Sequence, residues 1–333
     1  MSTPLTDTEK TPDQLLDSTL RPKVWDEYIG QTNTKDNIRL LITAAQKRGH
    51  VPEHVLLYGP PGLGKTTLAH LIAHETQRNL KITSGPAIEK VGDLASMLTN
   101  LSPGDIVFID EIHRLNKTIE EVLYPAMESG VLDIVIGKGP SARTIQLELP
   151  PFTLLAATTR ISLLSAPLRS RFSGGVFRLD FYSEDEMTRI IKRSARILDV
   201  DIQDENVARS IALRSRKTPR TANYIVKRCR DFAQVHNTTL SHDVLVQTCE
   251  LLGIDEQGLT KSDRDYIRTM LEKFSGGPVG LKTIAAATHE EEGTLEDVIE
   301  PYLLQCGFIE RTSRGRLVTR MGKDHLAQYE ADK

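Results

Sequence analysis

The sequence predicts an α/β domain with a parallel sheet, followed by a small helical domain and a C-terminal winged helix. In the first half, short unbroken apolar runs alternate with helical stretches, which is typical of a parallel sheet covered on both faces. From 183 to about 255 the pattern is helical throughout. From 262 to about 325, three helical stretches precede two short strands, the order of a winged helix.

The composition is that of an ordinary globular protein. Hydrophobic residues make up 39% and charged residues 26% of the 333 residues. Aromatic residues are only 5%, so base stacking is not expected to be the main mode of any contact with nucleic acid. The net charge of −3 gives no overall attraction to DNA or to an anionic membrane. A DNA site therefore has to be a local basic patch.

The cysteines and the N-terminus indicate a cytoplasmic location. The three cysteines are far apart and show no CxxC spacing, which predicts neither a zinc site nor a disulfide framework. The first twenty residues are polar and contain no apolar stretch long enough for a signal peptide or a membrane span. We expect a reduced cytoplasmic protein that does not contact a membrane.

The elements of the first domain follow in order. Residues 1–19 lack periodicity and are predicted to form a flexible arm, and a helix is predicted over 33–48 from its apolar spacing. Alternating residues on both sides of a Gly-Lys-Gly-Pro turn predict a projecting β-hairpin over 132–149. The predicted strands are 54–58, about 80–83, 105–109 and 152–159.

Boundaries for the later domains come from local signals. A capping box of Ser183 and Glu186 opens the helical region. The two final strands lie around a turn at 313–315. We predict a flexible arm, a large α/β domain, a small helical domain and a winged-helix domain, over 1–19, 20–182, 183–255 and 256–333.

A phosphate-binding loop is the most specific motif in the chain. The stretch GPPGLGKT fits GxxxxGK[ST], follows a predicted strand and opens a predicted helix. In this motif backbone N–H groups and a helix N-terminus face the phosphates, the lysine reaches the β- and γ-phosphates, and the hydroxyl binds Mg²⁺. The residues assigned to ATP and Mg²⁺ are Gly59, Gly62, Gly64, Lys65, Thr66 and Thr67.

An acidic pair follows the third predicted strand. Beside a phosphate loop, Asp110 would lie in the Mg²⁺ shell and Glu111 would polarise the attacking water. The alternative is a solvated turn, a common role for an acidic pair after a strand. The distance from the phosphate loop favours the catalytic interpretation.

Together these motifs resemble the AAA+ ATPases, and the chain from Arg21 onward is similar to the RuvB family of Holliday-junction branch-migration motors. The stretches that carry the resemblance include LRPKVWDEYIGQ, LLYGPPGLGKTTLA, DIVFIDEIHRL, LYPAME, LLAATTR, LSAPLRSRF, KTPRTAN and GTLEDVIEPYLLQCGFIERTSRGR. The resemblance implies an ATPase that acts in DNA recombination and repair, including the SOS response.

The resemblance also implies roles for single residues. Thr159 matches the sensor between the phosphate loop and the acidic pair, Arg171 the arginine finger, and Arg220 the second sensor in the lid. Without the resemblance, Thr159 is only a β-branched strand residue, and Arg169 is as good a candidate as Arg171 for the arginine finger. The residues that match the adenine pocket are Leu20, Arg21, Tyr28, Ile29 and Tyr182.

Partners are implied in the same way. The resemblance implies a homohexamer on duplex DNA and Holliday junctions, with RuvC joining in the resolving complex. It also implies that RuvA docks on hairpin 132–149, for which the exposed apolar residues are expected to be Ile134, Ile136 and Ile145. Arg311 and Arg316 match DNA-binding residues of the wing, while a solvated basic hairpin is the alternative from charge alone.

Two departures and three rivals accompany the resemblance. The chain has Glu128-Ser129-Gly130 where the family usually has an acidic pair and Phe, and an extra residue between Arg171 and Tyr182. A clamp loader would share the finger but lack the winged helix. A replication initiator would carry a winged helix but read a specific origin sequence. A protein unfoldase would need an aromatic pore loop, and none stands out at 84–92, after the second predicted strand.

Overall fold

The computed structural model describes residues 18–136, 143–202 and 204–331. The chain divides into two compact units, Met1–Asp180 and Phe181–Lys333. Most of the predicted N-terminal arm and the predicted turn of the 132–149 hairpin lie outside the described residues.

The first unit is built on a five-stranded parallel sheet, in which the strands lie in the order β2 (Leu80–Ser84), β3 (Ile106–Asp110), β6 (Thr153–Thr158), β1 (Val55–Tyr58) and β7 (Gly175–Arg178). This confirms the predicted α/β class. The chain leaves the sheet after each strand and returns through a helix, as parallel pairing requires.

The central strands are buried on both faces. Every residue of β6 is buried, and β3 is buried up to Ile109. Strand β7 was not predicted from the sequence, because this edge strand has four residues and begins at the second glycine of the Gly174-Gly175 pair. The helices of this unit are α1 (Thr32–Arg48), α2 (Lys65–Thr76), α3 (Val91–Thr99), α4 (Lys117–Ser129) and α5 (Ala166–Ser170).

The predicted hairpin is present as a separate antiparallel pair. Strands β4 (Val131–Ile136) and β5 (Arg143–Glu148) pair in a register that sets Ile134 opposite Ile145. Ile134 packs partly against the main core, whereas Ile145 is 45% exposed. Ile145 therefore presents an apolar side chain to solvent, whereas Ile134 is partly buried and the Ile136 side chain lies outside the described residues.

The second unit begins with four helices. The predicted capping box is confirmed: the Ser183 side chain accepts from the Glu186 amide, and the Glu186 carboxylate accepts from the Ser183 amide. The apolar faces of these helices pack together. The helices are α6 (Glu184–Ile197), α7 (Glu205–Arg214), α8 (Pro219–Val235) and α9 (His242–Leu252).

The rest of this unit has the predicted winged-helix order with an additional helix at its end. The added helix, α14 (Arg320–Ala331), was missed because it carries Gly322 in its first turn and buries only one large apolar residue, Leu326. A π-helical segment, Leu295–Ile299, connects two short helices. The other elements are α10 (Lys261–Phe274), α11 (Leu281–Thr288), α12 (Glu292–Thr294), α13 (Glu300–Gln305), β8 (Ile309–Thr312) and β9 (Gly315–Val318).

No helix within the described part of the chain is long and apolar enough to cross a membrane.

Candidate active site and DNA-binding wing

The phosphate loop connects β1 to α2 at the carboxyl edge of the sheet. Gly59, Gly62 and Gly64 all have positive φ, and Gly64 caps α2. A Cβ at Gly59 would collide with the carbonyl oxygen of Leu179, so only glycine fits there. The loop thus has the conformation expected from its sequence, ahead of a helix N-terminus that favours anions.

Lys65, the first residue of α2, is folded back over this loop. Its buried ammonium donates to the carbonyl oxygens of Gly59 and Pro60, each at 2.8 Å. Thr67 follows on the same helix and is partly buried. The lysine is therefore held by neutral oxygen atoms of its own loop.

The phosphate loop and the acidic pair meet through Thr66 and Asp110. The Thr66 hydroxyl donates to Asp110 Oδ2 at 3.4 Å, and Asp110 Oδ1 accepts from the Glu111 amide at 3.0 Å. A hydroxyl and a carboxylate are the hard oxygen donors that Mg²⁺ takes from proteins. These two residues fit a Mg²⁺ ion that obtains its remaining ligands from phosphate and water.

Glu111 is held by groups on two neighbouring elements. Its Oε2 accepts from the Thr159 hydroxyl at 3.1 Å and lies 3.1 Å from His113 Nδ1. His113 Nδ1 also lies 2.9 Å from the hydroxyl of the buried Thr158. The hydrogen bond from His113 holds the pKa of Glu111 below its ordinary value, with the Thr159 amide and hydroxyl adding to the effect against partial burial.

Arg171 lies just after α5 and is held within its own chain. One guanidinium nitrogen donates to the Pro167 carbonyl at 2.7 Å, and another lies 3.2 Å from Glu128 Oε1. The guanidinium also stacks 4.5 Å from the ring centre of Tyr124. We call Tyr124, Glu128 and Pro167 the finger cradle. The competing Arg169 is exposed.

The residues predicted for the adenine pocket lie in both units. Leu20 and Tyr28 are buried, Ile29 is partly buried, and an Arg21 guanidinium nitrogen lies 2.6 Å from Nε2 of His70 on α2. In the second unit, the buried Tyr182 donates its amide to the Lys217 carbonyl, and the exposed Arg220 is the second residue of α8.

The wing arginines converge on one buried carboxylate. Arg311 donates through Nε and an NH₂ group to Glu300 Oε2, at 3.0 and 2.6 Å, and Arg316 Nε donates to Oε1 at 2.9 Å. Tyr266 also donates to Oε1 at 3.0 Å, and burial beside Glu300 raises the pKa of its hydroxyl. Glu300 is fully buried, whereas the side chain of Arg311 is 46% and that of Arg316 16% exposed.

Comparison with known proteins decides the family. The profiles of the Holliday junction DNA helicase RuvB P-loop domain, the RuvB AAA lid domain and the RuvB C-terminal winged helix domain match residues 20–179, 182–255 and 256–327. The chain belongs to the RuvB family. This confirms the resemblance inferred from the sequence motifs.

Individual RuvB proteins agree in sequence and in fold. The Holliday junction branch migration complex subunit RuvB of Dehalococcoides mccartyi (strain CBDB1) is 56% identical over 325 residues, covering 97% of this chain and 93% of that protein. The Thermotoga maritima RuvB Holliday junction branch migration motor superposes with a TM-score of 0.84 at 50% identity, covering 93% and 98% of the two chains. A mutant of the same Thermotoga protein gives 0.85, also at 50% identity, covering 92% and 98%.

Membership in the RuvB family makes this chain an ATPase of a branch-migration motor, as predicted. The clamp-loader and initiator alternatives are not favoured.

Sequence reasoning missed three side chains that hold the predicted residues, namely His113, Tyr124 and Glu300. His113 lies two residues after Glu111, a spacing that could have been noticed, but nothing local to the sequence marks Glu300 as the partner of the wing arginines.

Proposed function

We propose that this RuvB-family chain moves Holliday junctions as one subunit of a homohexameric ring that hydrolyses ATP with Mg²⁺. The observation that carries the proposal is the meeting of three motifs at one edge of the sheet. Thr66 of the phosphate loop contacts Asp110, and Thr159, the residue immediately after β6, contacts Glu111. Phosphoryl transfer to water needs such a combination of phosphate binding, metal ligands and an oriented base.

Mg²⁺ would be held by Thr66 and Asp110, and when bound it neutralises charge that develops on the phosphates. Among the residues the structure describes, no cluster of three or more His, Cys, Asp or Glu could hold a metal. That agrees with an ion ligated mainly by nucleotide and water. Lys65 would exchange the Gly59 and Pro60 carbonyls for phosphate oxygens, a stronger partner for a buried ammonium.

Glu111 would orient and polarise the attacking water. A glutamate is ionised at neutral pH, as a general base must be, and the hydrogen bond from His113 lowers its pKa further. Thr159 would act as the sensor that positions this carboxylate, because its hydroxyl and amide both reach Glu111 Oε2.

Arg171 would complete the site of the neighbouring subunit in the ring. To do so it leaves the finger cradle, in which a partly exposed ion pair and a cation–π contact hold it. Each contact is worth about 0.5–1 kcal/mol at such sites. A γ-phosphate that offers two negatively charged oxygens is a stronger partner for a guanidinium than Glu128 alone.

Adenine would contact Leu20, Arg21, Tyr28 and Ile29, and Tyr182 is proposed as a further adenine contact. Arg220 would sense the γ-phosphate from the first turn of α8, where its exposed guanidinium is available to a ligand. Movement of the lid after phosphate loss would then be converted into movement of the subunit.

DNA and protein partners complete the proposal. Arg311 and Arg316 would contact phosphates of duplex DNA, and Arg311 is the better placed because nearly half of its side chain is exposed. RuvA would dock on hairpin 132–149 through the exposed Ile145, while the Ile136 side chain lies outside the described residues. RuvC would join in the resolving complex, in the cytoplasm.

The experiment is branch migration on a synthetic four-way junction. The chain is incubated with the junction, RuvA, Mg²⁺ and ATP, and dissociation into duplex arms is measured; the matched control is Glu111→Gln, which preserves shape but not the base. We expect dissociation with the wild-type chain and at least a hundredfold less with the control. Equal dissociation by both, or none by the wild-type chain, would overturn the proposal.

A further inference from the structure

The loop between α7 and α8 is held in an unusual conformation by the winged helix. Arg216 and Lys217 both have left-handed φ angles, of 54° and 53°, which non-glycine residues rarely adopt in succession. Immediately after them, Thr218 caps α8, whose second residue is the proposed sensor Arg220. A loop of this kind persists only where its surroundings hold it, so its contacts set the position of the sensor helix.

The side chain of Arg216 connects this loop to the winged helix through three contacts. Its NH1 donates at 2.9 Å to Asp263, a fully buried carboxylate at the start of α10. Its NH2 donates at 3.1 Å to the carbonyl of Val298 in the π-helical segment. The guanidinium also stacks 4.7 Å from the ring centre of Tyr302.

Asp263 is anchored on its own side of this contact. Its Oδ2 accepts from both the amide and the hydroxyl of Thr260 in the capping box of α10, at 2.7 and 2.6 Å. The Arg216 side chain is only 16% exposed, so the ion pair is largely removed from water. Breaking such a pair leaves a buried charge without its partner, so separating Arg216 from Asp263 is energetically costly.

On the winged-helix side, the residues that Arg216 contacts lie close in sequence to the carboxylate that holds the wing arginines. Val298 is two residues before Glu300, the carboxylate that holds Arg311 and Arg316. At the other end, the Lys217 carbonyl accepts from the amide of Tyr182, a proposed adenine contact. A π-helical segment is a frequent feature of functional sites, and here its carbonyl faces a charged donor from the lid.

We propose that Arg216 is a positioning residue that couples the nucleotide sensor loop of the lid to the DNA-binding wing. Its guanidinium bridges Asp263 and the Val298 carbonyl, so that a lid movement made on ATP binding carries the wing arginines with it. The inference rests on the proposed roles of Arg220 in nucleotide sensing and of Arg311 in DNA contact. It adds the connection between them.

The test measures how much nucleotide tightens DNA binding. Duplex affinity of the full chain is determined by fluorescence anisotropy with Mg²⁺, with and without the slowly hydrolysed analogue ATPγS, and the ratio of the two affinities is the coupling factor. Such factors are commonly about 5 to 150. We expect Arg216→Ala to reduce the factor at least threefold while duplex affinity without nucleotide stays within about twofold of wild type.

Two further variants make the result decisive. Arg216→Lys keeps a positive charge for buried Asp263 and so preserves folding, but a single ammonium cannot bridge Asp263 and Val298 in the same way, and we expect an intermediate factor. Arg268→Ala removes a partly exposed arginine of α10 that pairs with Asp265 and Glu330, and should leave the factor unchanged.

A wild-type coupling factor in both Arg216 variants would overturn the inference. An equal weakening of DNA binding with and without nucleotide would do the same, because it leaves the factor unchanged and indicates a purely structural role. If ATPγS does not alter DNA affinity even in the wild-type chain, the proposed nucleotide-driven motor fails first, and this inference with it.

Discussion

The carboxylate of Glu300 should stabilise the winged helix through its charge. Glu300→Gln retains the shape and an acceptor oxygen but leaves the guanidinium groups of Arg311 and Arg316 side by side without their shared counter-ion. Breaking a buried ion pair by removing one partner costs about 3–5 kcal/mol. We take the low end, about 3 kcal/mol, because Arg311 is half-exposed and the amide still accepts hydrogen bonds.

That free energy corresponds to a measurable change in Tm. The second unit has about 150 residues, for which 1 kcal/mol shifts Tm by roughly 2–4 °C. Glu300→Gln should therefore lower the Tm of this unit by about 6–12 °C when unfolding is followed by circular dichroism. The matched control is Glu296→Gln: Glu296 also contacts Arg316, at 3.4 Å, but is 40% exposed, so we expect less than about 3 °C.

Similar shifts in the two variants, or a shift under about 2 °C for Glu300→Gln, would refute the reasoning. Such a result would mean that the wing arginines do not depend on Glu300 in solution. They would then be free for other contacts, as in the solvated-hairpin interpretation of the sequence.

Three other predictions concern the binding sites. Lys65→Ala should weaken ATP binding at least tenfold in a titration, whereas Glu111→Gln should bind ATP normally and lose at least a hundredfold in turnover; the reverse pattern would exchange the two roles. Arg311→Ala should flatten the slope of log K for duplex against log salt by about 0.9 units, equally on two unrelated sequences, and an unchanged slope would remove it from the DNA contact. Ile145→Asp should abolish RuvA binding in a pull-down and leave ATPase activity without DNA unchanged; retained binding would move the RuvA contact elsewhere.

Much of the first unit could be predicted because its strands are continuous apolar runs and its phosphate loop has a fixed spacing. Four predicted strands, the helix near 33–48 and the hairpin are present. The edge strand β7 escaped prediction because a short, half-exposed strand lacks the apolar run that marks a buried one. Helix α14 was missed because helix formation there depends on packing of Leu326 and not on an apolar periodicity.

The sequence motifs named the residues of the candidate site, but not the side chains that contact those residues in the structure. Motif spacing identified Thr66 and Asp110, and the sheet order brings the ends of β1 and β3 near each other around β6. The contacts of Arg171 with Tyr124 and Glu128, and of the wing arginines with Glu300, depend on how separate elements of the fold pack together. Such contacts leave no periodic signal in a single sequence, and they matter because they compete with the ligands these arginines are proposed to bind.

Mixing two inactive variants tests most directly the claim that neighbouring subunits share each ATPase site. Lys65→Ala lacks a functional phosphate loop, and Arg171→Ala lacks the finger, so neither should hydrolyse ATP appreciably alone. In mixed rings, some subunit interfaces pair an intact phosphate loop with an intact arginine finger. ATPase activity should therefore reappear at intermediate mixing ratios. Mixtures that remain as inactive as their parents, while crosslinking shows that mixed rings have formed, would contradict the claim.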